Sequence, residues 1–560
     1  MPFADDGSAG EAVAFSTSEL APFVTAQEAD GTPRWVWSDT PRWYPGLLAA
    51  GIRIERCHDL RLCHAILARS ERVPDPAPLL ASPEWSAESA PPAPTVEDTA
   101  LFDIGVARDP ARGVPHGLAA GLAEFARQRA ALSAVSDRGA LRLLLSAESA
   151  GALVAVEMTS AGVPWDAVEH DRLLKAELGP RPVPGAKPER MIELAGEIRA
   201  ALDDPSANLD SPPKLVRSLR RAGIDVDSTS RWELAEHEHP AIAPLLRYKK
   251  LARLLAANGW TWLDEWVHDG RYHPVYVPGG VVTGRWASSG GGALQLPRQL
   301  RPALRADPGW VLVSADVAQL EPRALAAMSG DRALTSAARG TDLYAGIVAT
   351  GAVATREEAK FAVLGALYGA TTGESGRLAP RLRRSYPAAM RAVDSAAITG
   401  EHGGRVSTWL GRTSPLPDEA WREQQARASM PGATPRDEAN ARRSARDFGR
   451  FTRNFVVQGT AAEWALSWMA ILRQQLFALP ELESSGPQRS ARASGPVFER
   501  RPHLVFFLHD EVIVHAPEAQ AEAVSSAIRA SAAQAGALLF PGAPIDFPLD
   551  LNVGQRASAK

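Results

Sequence analysis

LVFFLHDEVIVHAP, residues 504–517, is the stretch on which the reading of this chain turns. Two apolar runs, 504–508 and 512–514, flank His509, Asp510 and Glu511. Val, Ile and Phe favour strands, so the runs read as two arms of a hairpin or one bent strand. Adjacent carboxylates between core-forming arms are costly unless something neutralises them. Taken alone, the triplet is equally good as a polar tip in solvent and as part of a cation site. A cation site needs a second carboxylate from elsewhere in the chain.

The length of 560 residues predicts about three or four domains. A hydrophobic content of 45% allows a sizeable core. No run of about eighteen apolar residues is present, so no membrane span is expected. The start, MPFADDGSAG, is acidic and has no hydrophobic signal core, which argues against secretion. Cys57 and Cys63 make neither a disulfide framework nor a four-ligand zinc site, and reduced thiols in a cytoplasmic protein are expected. A net charge of −4 does not mark the whole chain as a nucleic-acid binder, but Arg is locally clustered. Lys is scarce and Arg and Ala abundant, which weakens any argument from Arg count alone.

Residues 1–70 look α/β, with a strand at 34–38, a helix ending at Gly51 and a strand at 52–57. Residues 74–98 are Pro/Ala/Ser/Glu-rich and read as a loop. Helical patterns follow at 118–132, 138–161 and 189–266. The stretch 241–259 carries apolar residues on one side with Arg247, Lys249, Lys250 and Arg253 among them. Residues 415–437 and 481–501 are polar and Pro/Ser/Arg-rich, and read as loop insertions.

A second carboxylate appears in GWVLVSADVAQLEPR, residues 309–323. A turn at Pro308-Gly309 leads through a β-rich run to Asp316, with Glu321 five residues on and a helical pattern after it. Such a carboxylate is a common metal ligand and, alone, more commonly a helix cap. TREEAKFAVLGALYG, residues 355–369, opens with the capping box Thr355/Glu358. Steps of four from Arg356 give Lys360, Leu364 and Tyr368 on one face. Two cations near a helix N-terminus oppose its dipole and would suit a polyanion such as a triphosphate. Spacing alone favours a solvated basic face. RFTRNFVVQ, residues 450–458, aligns Arg450, Asn454 and Gln458, donors suited to phosphates, sugars and base edges. Gly459-Thr460 then reads as the junction to a further helix, and alone the segment is a decorated surface helix.

Together these segments resemble the family A DNA polymerases, the bacterial polymerase I group. VTGRWASS (282–289), DVAQLEPR (316–323), REEAKFAVLGALYG (356–369), GRVSTWLGRTSPLP (404–417), NFVVQGTAAE (454–463) and HDEV (509–512) fall in the family order. The resemblance implies an α+β right-hand polymerase, with an antiparallel palm sheet and helical fingers and thumb. It also implies a preceding ribonuclease H-like α/β domain of the 3′–5′ exonuclease type. The expected divisions are 1–165 for that domain, 166–275 for the thumb, 276–335 and 455–560 for the palm, and 336–454 for the fingers.

By the same resemblance two Mg²⁺ ions are held by Asp316 and Asp510, with hard oxygen ligands and substrate completing the shell. Arg356 and Lys360 neutralise the incoming dNTP, and Lys360 protonates the leaving pyrophosphate. Tyr368 stacks at the template base, Glu321 lies under the sugar and excludes a 2′-hydroxyl, and Gln319, Leu364 and Tyr344 complete the nucleotide site. Arg285, Asn454 and Gln458 contact the nascent primer–template duplex in the minor groove, and Arg450 also binds the DNA. His509 and Glu511 position the primer end, Glu511 counting with the catalytic group. Lys249, Lys250 and Arg253 hold duplex phosphates without reading sequence. The implied protein is a monomeric, cytoplasmic, nucleoid-associated enzyme without a membrane partner, acting in replication or repair gap filling.

The chain departs from the family pattern at several points. Leu364 stands where Phe or Tyr is usual, Val317-Ala318 where Tyr-Ser is usual, Pro322 for Leu, and Tyr344 for His. No metal ligand is lost. CHDLRLCHAIL (57–67) and EMTSAGVPWD (157–166) resemble the exonuclease-type domain and its exit. No Asp-x-Glu appears on an early strand, and FARQRAAL (125–132) lacks the expected Asp, so a degenerate, inactive fold is expected. A 5′ nuclease domain is not expected. The alternatives are a bifunctional enzyme with an active nuclease, for which Asp59 is the first carboxylate to test, and a non-catalytic primer–template binder.

Overall fold

The computed structural model describes residue 2 and residues 10–86, 113–292, 296–369, 373–483, 489–508 and 510–557. Its centre is a four-stranded antiparallel sheet in the order Leu549–Gly554, Trp310–Val317, Glu511–Pro517, His503–Leu508. The apolar arms at 504–517 do form the expected hairpin, and its second arm pairs with the strand that carries Asp316. Both central strands are buried along almost their whole length. A strand buried on both faces needs apolar residues without alternation, which is what WVLVSA and VIVHA supply. The helix Ala521–Leu539 packs on three of the strands, and the helix Pro435–Phe477 packs on that helix.

Pro435–Phe477 is one continuous helix of 43 residues. The expected junction at Gly459-Thr460 is therefore corrected. Gly459 is there for close approach: a Cβ would lie 2.3 Å from Thr408 Cγ2 and 3.1 Å from the Thr283 carbonyl. The helix interior tolerates it because tertiary packing outweighs a propensity cost of about 1 kcal/mol. The first half of this helix shares a separate apolar core with Arg356–Tyr368, Gly373–Ser385 and Pro387–Glu401. Helices Glu189–Ala201, Pro212–Arg221 and Ile242–Asn258 bury Ile198, Leu219, Leu245, Leu251 and Leu254 in the main core.

Near the N-terminus Arg34–Trp37 pairs in parallel with Arg56–Asp59. The second strand thus begins later than the expected residue 52. The Ile54 and Glu55 carbonyls are instead taken by the guanidinium of Arg473. Arg138–Ala161 packs on the strand Arg56–Asp59 and also on the long helix and strand His503–Leu508. It therefore bridges the N-terminal unit and the central sheet.

Two loop expectations are corrected. Within 415–437 lies the helix Glu419–Ala428, capped by Asp418, which accepts from Trp421 N at 2.8 Å. The long helix begins at Pro435 behind a capping box of Thr434 and Asp437. Polar composition concealed these caps. Within 481–501 a short helix, Gly495–Phe498, buries Val497 and Phe498. Ala77–Leu80 and a 3₁₀ turn at Pro83–Ser86 occupy the start of the 74–98 segment, whose part from 87 onward lies outside the described residues.

Arg138–Ala161 and Pro435–Phe477 are long and apolar enough by composition to cross a membrane. Their most apolar windows are 67% and 83% buried in protein, which is how core helices pass the same test.

Candidate active site

The strand Trp310–Val317 is buried except at Asp316, whose side chain emerges at the sheet's end. Asp316 stands opposite Glu511 on one side and Asp550 on the other. Asp510 lies just before its strand, and its carbonyl accepts from Val317 N at 3.0 Å. The register thus brings the two expected metal carboxylates to the same edge of the sheet, although about 190 residues separate them in sequence. Burial pushes the Asp510 carboxyl up to about 6; Glu321 and Glu511 add to this, and Arg285 opposes it.

Two neighbouring acids are already matched. Glu511 is gripped by both guanidinium nitrogens of Arg301, one at 2.8 Å, with both side chains nearly buried. Glu321 accepts from Arg285 and, at 3.0 Å, from the Tyr368 hydroxyl. Asp316, Asp510 and Asp550 stand together at this end of the sheet, and such a group of carboxylates is chemically suited to a hard cation. Among the described residues no three His, Cys, Asp or Glu side chains form a closed ligand set.

The helix Arg356–Tyr368 is tied to this region at both ends, Arg356 to Asp342 and Tyr368 to Glu321. Thr355 caps it, its hydroxyl accepting from Glu358 N at 3.1 Å. The Glu358 carboxylate takes Ala354 N instead of Thr355 N, so the expected box is half formed. Arg356 and Lys360 are exposed, Leu364 is half-buried and Tyr368 is exposed. Arg356 Nε donates to Asp342 Oδ2 at 2.6 Å, and its guanidinium carbon lies 5.6 Å from the centre of the Tyr344 ring. Tyr344 is buried, and its hydroxyl is pushed up to about 12 by burial. Gln319 adopts a left-handed backbone (φ 52°), a conformation that costs a non-glycine residue energy. Its side chain accepts from Leu343 N at 3.2 Å, tying the turn after Asp316 to the Asp342 loop.

The remaining expected residues divide. Asn454 and Gln458 are half-buried on one face of the long helix. Asn454 Oδ1 is buried without a partner among the described residues, and Gln458 bonds to the Tyr368 hydroxyl. Arg450 is exposed and paired with Asp447. Lys249 is half-buried and donates to the Thr229 hydroxyl at 2.7 Å, whereas Lys250 and Arg253 are exposed. His509 lies outside the described residues. Asp59 is fully buried; it accepts from Thr40 N (2.7 Å), Thr40 Oγ1 (2.6 Å) and Leu62 N (2.9 Å), as a helix cap does.

Sequence reasoning missed three groups here. Arg301 neutralises Glu511. Fully buried Arg323 donates to the carbonyls of Ala338, Gly340, Thr341 and Asp546, fixing the loop before Asp342. Asp342 caps Leu343–Ala349, a role signalled by the Thr-Asp-Leu sequence.

The sequence profile of DNA polymerase family A matches residues 189–557. Among curated relatives, thermostable DNA polymerase I of Thermus filiformis is 26% identical over 409 residues, covering 65% of this chain and 43% of that protein. DNA polymerase I of Chloroflexus aurantiacus is 29% identical over 345 residues, covering 56% and 32%. Thermostable DNA polymerase I of Thermus aquaticus is 25% identical over 503 residues, covering 80% and 53%. The chain therefore spans from about a third to about half of the length of these relatives. The fold matches the POL domain of Pol1 from M. smegmatis, solved in complex with DNA primer-template and dNTP. The TM-score is 0.65 at 18% identity, covering 97% of this chain and 89% of that one.

Proposed function

The chain belongs to DNA polymerase family A, and from that membership we propose that it carries out template-directed DNA synthesis, adding nucleotides from dNTPs to a primer 3′-hydroxyl. The observation that carries the proposal is the convergence of Asp316 and Asp510 at one sheet edge, bridged by the Val317–Asp510 main-chain bond.

In this reading Asp316 and Asp510 hold two Mg²⁺ ions, whose chemistry is to acidify the primer hydroxyl and neutralise charge on the transferring phosphoryl group. Arg356 and Lys360 bind the triphosphate at the helix N-terminus, where the dipole also favours an anion. Lys360 Nζ delivers a proton to the leaving pyrophosphate. Glu321, held between Arg285 and Tyr368, forms the floor under the sugar. Gln319, Leu364 and Tyr344 line the nucleotide site. Glu511, locked by Arg301, supports the hairpin beside the primer end, where His509 also belongs. Arg285, Arg450, Asn454 and Gln458 face the nascent duplex, and Lys249, Lys250 and Arg253 hold its phosphates.

The corresponding divisions are thumb 166–275, palm 276–335 with 455–560, and fingers 336–454. The unit 1–165 is a ribonuclease H-like remnant without hydrolytic activity, a reading supported by the capping role of Asp59. Monomeric, cytoplasmic action at the nucleoid, in replication or repair gap filling, rests on the family alone. The test is primer extension by the wild type and by Asp316→Asn on a defined template. Extension by the wild type and its loss in the variant are expected. Equal extension by both, or template binding without incorporation in Mg²⁺ or Mn²⁺, overturns the proposal.

A further inference from the structure

Asp342 sits where three of the proposed nucleotide-site residues meet. Its Oδ1 accepts from the main-chain N–H of Tyr344 at 3.0 Å and of Ala345 at 3.3 Å, and from Gln319 Nε2 at 3.4 Å. Its Oδ2 accepts from Arg356 Nε at 2.6 Å. The two oxygens thus do different work: one caps a helix, the other occupies the cation at the head of Arg356–Tyr368. Asp342 itself is held from behind by Arg323, which binds the carbonyls of Gly340 and Thr341. The Arg356 and Asp342 side chains are 57% and 31% exposed, so their pair is screened by solvent and easily exchanged.

We propose that Asp342 is an internal counter-anion that holds Arg356 while the site is empty, yields it to the triphosphate of an incoming nucleotide, and recaptures it as pyrophosphate leaves. The inference rests on reading this site as a nucleotide site. A phosphate ligand carries more charge than one carboxylate and gains the helix N-terminus as well, so it outcompetes Asp342. Asp342 is not stranded by the exchange, because the caps and Gln319 remain on its other oxygen. Arg356 stays aligned over Tyr344 in the meantime and does not collapse onto another acid. The effect of Asp342 is to weaken the binding of both nucleotide and pyrophosphate, which favours turnover over product retention.

Asp342→Asn separates the roles, since an amide oxygen still accepts the two cap bonds while the charge is gone. Exposed ion pairs correspond to about two- to fivefold in an equilibrium constant. The variant should therefore lower the KM for dNTP by about two- to fivefold. Inhibition by inorganic pyrophosphate should tighten by a similar factor, kcat should not rise, and both shifts should shrink at high salt. Asp342→Ala, which also loses the caps, should melt at a lower temperature than Asp342→Asn. Equilibrium binding of a mant-labelled deoxynucleoside triphosphate keeps the two readings apart. Incorporation by the wild type with unchanged or weakened nucleotide and pyrophosphate binding in Asp342→Asn overturns the counter-anion. Tightened nucleotide binding in a protein that never incorporates supports it and sinks the polymerase reading. Absence of nucleotide binding in the wild type overturns both.

Discussion

The amide of Val317 donates to the carbonyl of Asp510 at 3.0 Å, and this bond sets Asp510 against the end of the strand that presents Asp316. Burial and nearby acids hold the Asp510 carboxyl up to about 6, so the ionised form weakens the folded protein. Asp510→Asn should therefore melt at or above the wild-type temperature at pH 8. Its nucleotide incorporation should fall on the order of a thousandfold, the rate equivalent of losing several kcal/mol of charge stabilisation. Differential scanning calorimetry beside primer extension checks both. A variant that is less stable yet active would contradict this account.

Arg301 and Glu511 form a two-pronged ion pair whose side chains are 12% and 9% exposed. Removing one partner strands the other charge, at a cost of about 3–5 kcal/mol. Arg301→Ala should lower stability by that amount in urea unfolding. The pair Arg301→Met with Glu511→Gln should recover most of it, because neither buried charge remains. Additive losses would show that the two side chains do not act as a unit.

Gly459 should not accept a side chain. In Gly459→Ala the new methyl meets Thr408 Cγ2 at 2.3 Å, and overpacking of this kind costs about 1–3 kcal/mol. Adding Thr408→Ser removes the offending methyl, keeps the hydroxyl that binds Glu463, and should restore much of the loss. If the double variant is no better than the single one, the contact with the Thr283 carbonyl dominates instead.

Glu463 gives the protein a pH dependence. Burial raises its carboxyl from the ordinary 4.5 to about 7, while the Thr408 hydroxyl and Leu410 N–H hold it back. A folded-state pKa above the unfolded one means that the folded chain binds the extra proton. This group's stabilisation is complete below about pH 4.5 and is lost as pH rises through about 7. Glu463→Gln should thus flatten the decline in stability between those values, as read from unfolding free energies across pH. An unchanged slope would assign the decline to other groups.

Much of the fold was legible because it depends on local pattern. The uninterrupted apolar runs around Asp316 and Asp510 marked buried strands, and the four-residue steps from Arg356 marked a helix whose Arg356, Lys360 and Tyr368 do reach solvent. The misreadings share one cause, that a local signal was judged without its neighbours. Gly459 has the local signature of a break, but the close approach of Thr408 is what requires a glycine there. The strand-like pattern of residues 52–55 is overridden by Arg473, more than 400 positions later, which takes the Ile54 and Glu55 carbonyls. The caps at Asp418 and Thr434 were there to be read, and polar composition masked them.

Residue type and spacing along a few turns were enough for the two central strands, the helix from Arg356, the family resemblance and the identity of the acids and bases. Which of those charges are already answered depends on the folded chain. Glu511 is neutralised by Arg301, Glu321 is shared by Arg285 and Tyr368, Asp59 is consumed by a helix cap, and Arg356 rests on Asp342. Charge pairing depends on distances between side chains that are remote in sequence, and strand register and helix packing set those distances.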